Sequence, residues 1–234
     1  MWGFVDCTRY YMTLGVPTVI LNEASLVVKT HEKLGLLVPE GGGKTTMIRM
    51  LAGVDQPNSG HVLRDRGGVP LGFGGAFLAD RTGEENVRQL AALVGTDPLT
   101  YSAFCAEFAE LGEAYFTPMK LWTAAMRTRL AFTASLGAPA ATYLADGKIV
   151  GGDRPFVEKF LAALAERLQT AGLIFLTSRP RLTVDWCDRH AVVVNGKIIV
   201  CSSHEEASEL FDASRQGAAG EEVVEEDLAS FDLA

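Results

Sequence analysis

A glycine-rich turn between an apolar run and a helical segment limits what this chain can fold into more than any other feature. Residues 34–38 form a short apolar run of buried-strand length, and three consecutive glycines follow at 41–43. From Lys44 to residue 52 the sequence has helical periodicity, which Gly53 ends. A strand that leads through a glycine-rich turn into a helix beginning with Lys-Thr predicts a phosphate-binding loop in an α/β fold.

Each residue type in this loop has a physical reason to be there. Small residues allow backbone N–H groups to turn inward around phosphate oxygens, and the N-terminus of the following helix adds partial positive charge. Lys44 would reach the β- and γ-phosphates, and the Thr45 hydroxyl would ligate Mg²⁺. The predicted nucleotide-binding residues of the loop are Pro39, Glu40, Gly41, Gly42, Gly43, Lys44, Thr45 and Thr46.

Two residues of the loop depart from the phosphate-binding pattern. Val38 stands where the pattern has its first glycine. If that position requires a positive φ, a β-branched residue there is strained. Glu40 places a negative charge beside an anion site. A glycine-rich turn that binds no ligand therefore stays open as an alternative.

The rest of the chain alternates between strand-like and helix-like segments. The predicted strands cover residues 19–29, 143–145, 173–176, 192–194 and 198–200, and the predicted helices cover most of 84–137 and 156–171. Asn195-Gly196 predicts a hairpin between the last two strands. Residues 67–75 are predicted to form a glycine-rich connection. The alternation predicts a mainly parallel sheet with helices on both faces.

Composition excludes several classes of protein. Apolar residues make up 48% of the 234 residues and charged residues 21%, which excludes a disordered or collagen-like chain. The apolar runs are far shorter than the roughly 20 residues of a membrane-spanning helix, and the first residues lack the basic and apolar regions of a signal peptide. The four cysteines fall at no metal-ligand spacing. We expect a soluble cytoplasmic protein with reduced, packed cysteines.

Negative charge is concentrated at the C-terminal end. Six acids and no base lie in residues 220–234, which leaves −2 of the total formal charge of −8 for the rest of the chain. We expect residues 213–234 to form a solvated, flexible tail. A helix docked on a basic surface through Val223, Val224 and Leu228 is the alternative. Because no basic stripe marks the body of the chain, we expect no nucleic-acid partner.

Several separated blocks of the sequence resemble one family. Residues 51–62 are similar to the stretch that follows the phosphate loop in ABC-transporter ATPases. Residues 82–87, 108–112 and 126–132 resemble the ATPases of capsular-polysaccharide exporters. The resemblance runs from about Val5 to Ser202, and the spacing of independent blocks makes it specific.

This resemblance implies an architecture and an assembly. The fold would be α/β, a RecA-like P-loop NTPase core with a mainly parallel sheet, an antiparallel β subdomain and a helical subdomain over about 82–137. Together these would form one nucleotide-binding domain over residues 1–212. Two ATPase subunits, identical or different, would lie beneath a membrane permease on the inner face of the cytoplasmic membrane. Mg-ATP would lie between the phosphate loop of one subunit and the signature segment of the other.

The resemblance also assigns three residues outside the loop to nucleotide binding. Tyr11 matches the aromatic residue that stacks on adenine, although Tyr10 competes for that role. Asp146 matches a carboxylate associated with Mg²⁺; capping the following turn is its other possible role. Asp153 matches a conserved aspartate after the same strand, and an ordinary surface-loop aspartate is the alternative.

The residues that the family uses for hydrolysis are replaced. Gly147 stands in place of the glutamate that polarises the attacking water, and Arg179 in place of the histidine that contacts the γ-phosphate. Glycine has no side chain to act as a base, and arginine does not accept a proton at neutral pH. Leu78 replaces the glutamine that links the metal site to the permease and offers no ligand oxygen. We therefore assign no catalytic residue.

The signature segment is changed as well. It corresponds to residues 122–126, where Thr123 keeps a hydroxyl and Ala124 and Ala125 replace small polar or glycine residues. Each added Cβ obstructs close approach of the backbone to a γ-phosphate. Ordinary variation at the start of a helix is the alternative, because alanine favours helix. Thr123 and Ala125 remain candidate contacts to a nucleotide bound by the facing subunit.

Three functions remain open from the sequence. The first is a degenerate ATP-binding subunit of a polysaccharide exporter, which binds Mg-ATP but hydrolyses it slowly or not at all. The second is an active transporter ATPase in which Arg179 or a rearranged carboxylate compensates. The third is a scaffold or regulator that binds protein and no nucleotide. The turn after the loop and the hairpin spacing argue against an unrelated P-loop enzyme such as a kinase.

Overall fold

The strands and helices follow each other in an order that builds two separate sheets. The computed structural model describes residues 1–72, 75 and 77–229, with the backbone alone for Thr13 and residues 217–229. In chain order the elements are β1 (Trp2–Thr13), β2 (Val16–Val28), β3 (Lys33–Leu37), α1 (Lys44–Leu51), β4 (Ser59–Leu63), β5 (Gly68–Pro70), α2 (Gly83–Val94), α3 (Pro98–Ala109), α4 (Ala124–Gly137), β6 (Thr142–Asp146), α5 (Arg154–Arg167), β7 (Gly172–Thr177), β8 (Arg189–Val194), β9 (Lys197–Cys201) and α6 (His204–Ala229).

The larger sheet has six strands in the order β5-β6-β7-β3-β8-β9. Every pair in it is parallel except β8 with β9, which confirms the mainly parallel sheet. The central strands β3 and β7 are buried almost throughout, as continuous apolar runs in a parallel sheet are expected to be. Asn195 and Gly196, both at positive φ, form the predicted turn between β8 and β9.

The smaller sheet is antiparallel, with strands in the order β2-β1-β4. The sequence pattern did not predict β1, and the predicted strand 19–29 covers most of β2. Helix α1 packs between the two sheets: Met47 and Met50 are fully buried in one core with Phe4 of β1, Leu26 of β2 and Leu36 of β3. This shared core fixes the segment between β3 and α1 relative to both sheets.

A mostly helical region follows the strand β5, which itself lies within the predicted glycine-rich connection. Helices α2, α3 and α4, with 3-10 turns at Gly112–Phe116 and Met119–Leu121, enclose a core of their own. Helix α2 begins with a capping box, in which the Thr82 hydroxyl accepts from the Glu85 N–H and the Glu85 carboxylate accepts from the Thr82 N–H. Gly95, at φ 72°, ends it.

Helix α6 closes the described part of the chain. Its first turns bury Ala207 and Phe211 against Leu37 of β3 and Val192 of β8. The helix continues through the start of the acidic segment to Ala229, and residues 230–234 lie outside the described residues. No helix within the described ranges is long and apolar enough to cross a bilayer. All four cysteines are buried and free.

Candidate nucleotide-binding site

The loop between β3 and α1 turns on two glycines. Gly41 has φ 74° and Gly43 has φ 85°, and a Cβ at Gly43 would lie 2.3 Å from Ile20 Cγ2. Val38 has no positive φ, so the strain expected there does not arise. Its side chain is fully buried, and its N–H donates to the Thr177 carbonyl at 2.9 Å. The turn therefore lies at the glycines of residues 41–43, and position 38 belongs to the buried segment before it.

Helix α1 begins immediately after this turn with its N-terminus directed at the loop. Gly43 is its N-cap and supplies no side-chain hydrogen bond to the first turn. Uncapped N–H groups at a helix N-terminus attract anions, because they are donors without a partner in the helix. The Pro39 carbonyl accepts the Gly42 N–H at 3.0 Å, which closes the turn. The backbone therefore has the form that binding a phosphate requires.

Lys44 is held inside the loop by two oxygen atoms. Its Nζ donates to the Pro39 carbonyl at 3.1 Å and to Glu40 Oε2 at 3.2 Å, and only 13% of its side chain is exposed. The other Glu40 oxygen accepts a hydrogen bond from the Ser178 hydroxyl, just past the end of β7. This bond and the Lys44 ammonium lower the pKa of Glu40, to which the charge of Arg179 also contributes.

Thr45 and Asp146 meet at the carboxyl edge of the parallel sheet. The Thr45 hydroxyl donates to Asp146 Oδ2 at 2.6 Å, although 101 residues separate the two in sequence. Asp146 ends β6, and the loop follows β3, two strands away in the sheet. Ligands of open α/β sheets bind at this edge. A hydroxyl and a carboxylate are hard oxygen donors of the kind that Mg²⁺ prefers, so this pair fits that ion.

These two side chains provide only part of a magnesium coordination shell. No group of three or more His, Cys, Asp or Glu residues that could hold a metal occurs among the residues that the structure describes. Mg²⁺ is usually bound through one or two carboxylates, with waters and substrate phosphates as the remaining ligands. The donor set here matches a metal ion that arrives with a nucleotide.

Tyr11, rather than Tyr10, lies next to the loop. Its hydroxyl is 3.2 Å from Thr46 Oγ1 and donates to Asp55 at 3.2 Å. The guanidinium of Arg9 lies 4.4 Å from the centre of its ring and also pairs with Asp55. Tyr10 instead donates its backbone N–H to Asn58. With Arg9 against one face of the ring, the opposite face is the one on which a base would stack.

The position after Asp146 has an unusual backbone. Gly147 has φ 71°, and no other group lies within 4 Å of where its Cβ would be. Its N–H donates to the Leu176 carbonyl at 2.7 Å. A side chain here would find space but would require a left-handed backbone, which glycine adopts at no steric cost. Arg179 is also near the loop, two residues after β7, with its N–H donating to Thr177 Oγ1 at 3.2 Å.

The remaining predicted residues lie in or beside the helical region. Thr123 caps α4 by accepting the Met126 N–H at 3.2 Å, and Ala125 is exposed in the first turn of that helix. Asp153 precedes α5 and lies 3.6 Å from Arg129 of α4. The structure thus does not bring these three residues to the loop of the same chain. The resemblance to ABC ATPases placed Thr123 and Ala125 opposite the loop of another subunit.

The segment that contains Leu78 is attached to the helical region by its backbone. The buried side chain of Asn86 accepts the Leu78 N–H at 2.7 Å and donates to the Leu78 carbonyl at 3.0 Å. The Leu78 side chain is partly exposed, and Ala76 lies outside the described residues. Leucine therefore supplies a backbone connection here but no metal ligand.

Besides the stacking of Arg9 on Tyr11, two features of the site were not predicted from the sequence. One is the bond from Ser178 to Glu40, between residues 138 positions apart. In the sequence, the one indication that Ser178 belongs to the site was its position next to Arg179. The other is a cavity of about 730 Å³ beside Thr45 and Asp146. Basic side chains of Arg49, Arg127 and Lys148 contribute to its lining.

Comparison with known proteins identifies relatives over most of the chain. No protein-family model matches it. The ATP-binding protein BexA of Haemophilus influenzae is 36% identical over 81% of this chain and 88% of its own length. The capsule polysaccharide export ATP-binding protein CtrD of Neisseria meningitidis is 30% identical over 88% and 96%. The polysialic acid transport ATP-binding protein KpsT of Escherichia coli is 28% identical over 83% and 88%.

Solved structures share the fold. The ATP-binding cassette MJ0796, in a dimeric post-hydrolysis state bound to ADP and Pi, superposes with a TM-score of 0.71 at 18% identity. The match covers 85% of this chain and 96% of that cassette. It confirms the predicted α/β cassette fold with its antiparallel sheet and helical region. With the relatives above, it shows that this chain belongs to the family of ABC-transporter ATP-binding proteins that includes the capsule polysaccharide export proteins.

Proposed function

We propose that this chain is the ATP-binding subunit of a capsule-type polysaccharide exporter that binds Mg-ATP with weakened or lost hydrolysis. The observation that carries this proposal is the convergence of Lys44, Thr45 and Asp146 at one edge of the parallel sheet. An ammonium group, a hydroxyl and a carboxylate are the groups that a magnesium-bound triphosphate requires. The names of the relatives support polysaccharide export as the transport process.

In this proposal each part of the nucleotide meets a group of the protein. The loop N–H groups and Lys44 bind phosphate oxygens, and Tyr11 takes the base on the ring face opposite Arg9. Thr45 and Asp146 hold Mg²⁺, which neutralises phosphate charge when bound. Arg179 adds positive charge at the γ-phosphate. Asp153, with Thr123 and Ala125 of a facing subunit, completes the proposed set.

We infer weakened or lost hydrolysis because this site lacks a general base among the residues that the structure describes. A general base contributes about 10²- to 10⁴-fold to rate, and Gly147 has no side chain to act as one. The Asp146 carboxylate is engaged with Thr45 at 2.6 Å. Arg179 stabilises negative charge but does not accept a proton at neutral pH. Water activation therefore has no assigned residue in this site.

Assembly and location follow from the proposed transport role. The subunit pairs with an identical or a different ATPase and docks on a membrane permease, at the inner face of the cytoplasmic membrane. The dimeric cassette with the same fold supports pairing. Nucleic acid is not a proposed partner.

Calorimetry with millimolar Mg-ATP tests nucleotide binding. We expect a binding heat for the unchanged chain and none for Lys44→Ala, because that substitution removes the ammonium of the loop. Lys120→Ala is the matched control, since Lys120 forms an exposed ion pair with Asp80 at 3.0 Å in the helical region. Absence of binding heat in the unchanged chain, or binding unaffected by Lys44→Ala, would refute the proposal.

Two other functions give different results. An active transporter ATPase, which the position of Arg179 near Glu40 favours, would release phosphate in steady state, and Lys44→Ala would abolish that release. A nucleotide-independent scaffold, which the Glu40–Lys44 ion pair favours, would show no binding heat and would capture its partners equally with and without ATP.

A further inference from the structure

Glu40 connects the phosphate loop to the end of β7. One of its oxygens accepts from Lys44 Nζ at 3.2 Å, and the other accepts from the Ser178 hydroxyl. Its side chain is nevertheless 81% exposed, so no packing holds it in place. These two polar contacts, together with the charge of Arg179, therefore determine where the carboxylate lies.

The Glu40 carboxylate accepts a hydrogen bond from the Lys44 ammonium, which is the group that a nucleotide phosphate would also use. Lys44 is only 13% exposed, and among the described residues its partners are Glu40 and the neutral Pro39 carbonyl. A carboxylate and a phosphate both present charged oxygens that accept hydrogen bonds from an ammonium. A bound phosphate would lie beside the Glu40 charge, and two anions close together repel each other.

We propose that Glu40 is a built-in competitor of nucleotide phosphate for Lys44, with Ser178 as the residue that holds the competitor in position. This inference rests on the proposed function, because it presupposes that the loop binds a nucleotide. A phosphate oxygen that takes the position of the Glu40 oxygen at the ammonium must displace the carboxylate. The competition therefore weakens binding most for nucleotides that place phosphate charge at Lys44, namely the tri- and diphosphates.

The attachment of the loop to β7 does not depend on Glu40 alone. The Val38 N–H donates to the Thr177 carbonyl at 2.9 Å, in the buried interior. Displacement of Glu40 would break its bond to Ser178 and leave this backbone bond intact. The lowered pKa of Glu40 is consistent with a carboxylate that stays charged at neutral pH. The loop can therefore lose its competitor without losing its conformation.

Titration of the 234-residue chain with Mg-ATP, Mg-ADP and AMP tests the competition. Glu40→Gln removes the charge and keeps the size of the side chain, so ATP should bind about fivefold more tightly, with a gain for AMP below about twofold. Glu84→Gln is the matched control, because Glu84 also forms an ion pair with the base four residues later, at 2.8 Å, but in α2. The affinity of the Glu84→Gln variant for ATP should equal that of the unchanged chain.

Ser178→Ala tests the positioning role. Without its hydroxyl partner, Glu40 spends more time in solvent, so ATP should bind about twofold more tightly. In a Glu40→Gln background the same change should add nothing, because the competitor is already absent. Equal gains in both backgrounds would overturn the role of Ser178.

The outcomes separate this inference from the proposed function. If the unchanged chain binds ATP and Glu40→Gln does not bind it more tightly, the competition is refuted and ATP binding stands. An equal gain for AMP and ATP also refutes the competition. Binding by Glu40→Gln where the unchanged chain binds nothing would refute the proposed function of the unchanged chain and support the competition. If neither binds, both the competition and nucleotide binding are refuted.

Discussion

The loop after β3 and the segments after β6 and β7 differ in the side chains that they contribute to the candidate site. After the end of β3, the Lys44 ammonium and the Thr45 hydroxyl each donate to an oxygen atom of the site. After β6 and β7, the backbone continues through Gly147 and Arg179 without a side chain that accepts a proton. In the proposed function, Lys44, Thr45 and Asp146 bind the nucleotide. Cleavage would need side chains at positions 147 and 179 that Gly147 and Arg179 do not supply.

Among tests of nucleotide binding, substitution of Asp146, which accepts a hydrogen bond from Thr45, should have the largest effect. Asp146→Asn removes the charge that faces Thr45, and a hydrogen bond to a charged group contributes about 1.5–3 kcal/mol. We expect the Mg²⁺-dependent part of ATP affinity to fall about tenfold to a hundredfold, while affinity in excess EDTA stays unchanged. Asp80→Asn, in the exposed pair with Lys120, is the control. An equal loss with and without Mg²⁺ would show that Asp146 does not act through a metal.

Loss of Tyr11, the residue proposed to stack on the base, should have the next largest effect on ATP affinity. Tyr11→Ala should weaken ATP binding about tenfold, because stacking of a base on an aromatic ring contributes about 1–3 kcal/mol. Tyr11→Phe should keep most of the affinity, since the ring remains. Tyr10→Ala is the matched control and should change the dissociation constant less than twofold. If the Tyr10 variant shows the larger loss, the stacking residue is assigned wrongly.

The cleavage side is tested by restoring one side chain. Gly147→Glu should leave phosphate release well below the ordinary enzyme range of about 1–10³ s⁻¹, because Arg179 and the alanines of α4 remain. It should also lower the free energy of unfolding by about 1–2 kcal/mol, since a side chain at φ 71° is strained. Gly147→Ala separates the two effects by introducing the strain without the carboxylate. Ordinary turnover in the Gly147→Glu variant would contradict the proposal that Arg179 and the alanines of α4 also weaken hydrolysis.

The smallest expected effect concerns the start of α4. Thr123→Ala removes the hydroxyl that accepts the Met126 N–H at 3.2 Å, and loss of such a cap costs about 1 kcal/mol of stability. Thermal unfolding should show that loss, whereas Thr123→Ser should show little. Loss of ATP-dependent pairing in Thr123→Ala, measured where the protein is fully folded, would add a nucleotide contact across the dimer to its role as a cap.

Much of the fold could be predicted because its central elements carry strong local signals. The continuous apolar runs of β3, β6 and β7 mark buried parallel strands, and Asn-Gly marks the turn before β9. Strand β1 was missed because its pairing with β2 is interrupted by register shifts, with Asp6 at positive φ. Strand β5 is three residues long and contains Gly68 and Pro70, which are depleted in strands.

Without the resemblance to a known family, the site could be predicted only where its residues are adjacent in sequence. The loop is one continuous segment, so its composition indicated phosphate binding directly. The strain considered at Val38 depended on a positive φ that the sequence alone does not reveal, and in the structure Gly41 and Gly43 have the positive φ instead. The Ser178–Glu40 contact and the Arg9–Tyr11 stacking depend on which strand ends and strand faces the fold brings together. The resemblance to ABC ATPases suggested Tyr11 and Asp146, and their surroundings became apparent only in three dimensions.

The amide of Asn86 gives the residue-78 segment a mechanical connection to α2. Both hydrogen-bonding groups of the Leu78 backbone are held by one buried side chain. Any displacement of α2 would therefore move the main chain at residue 78 with it, whatever side chain stands there.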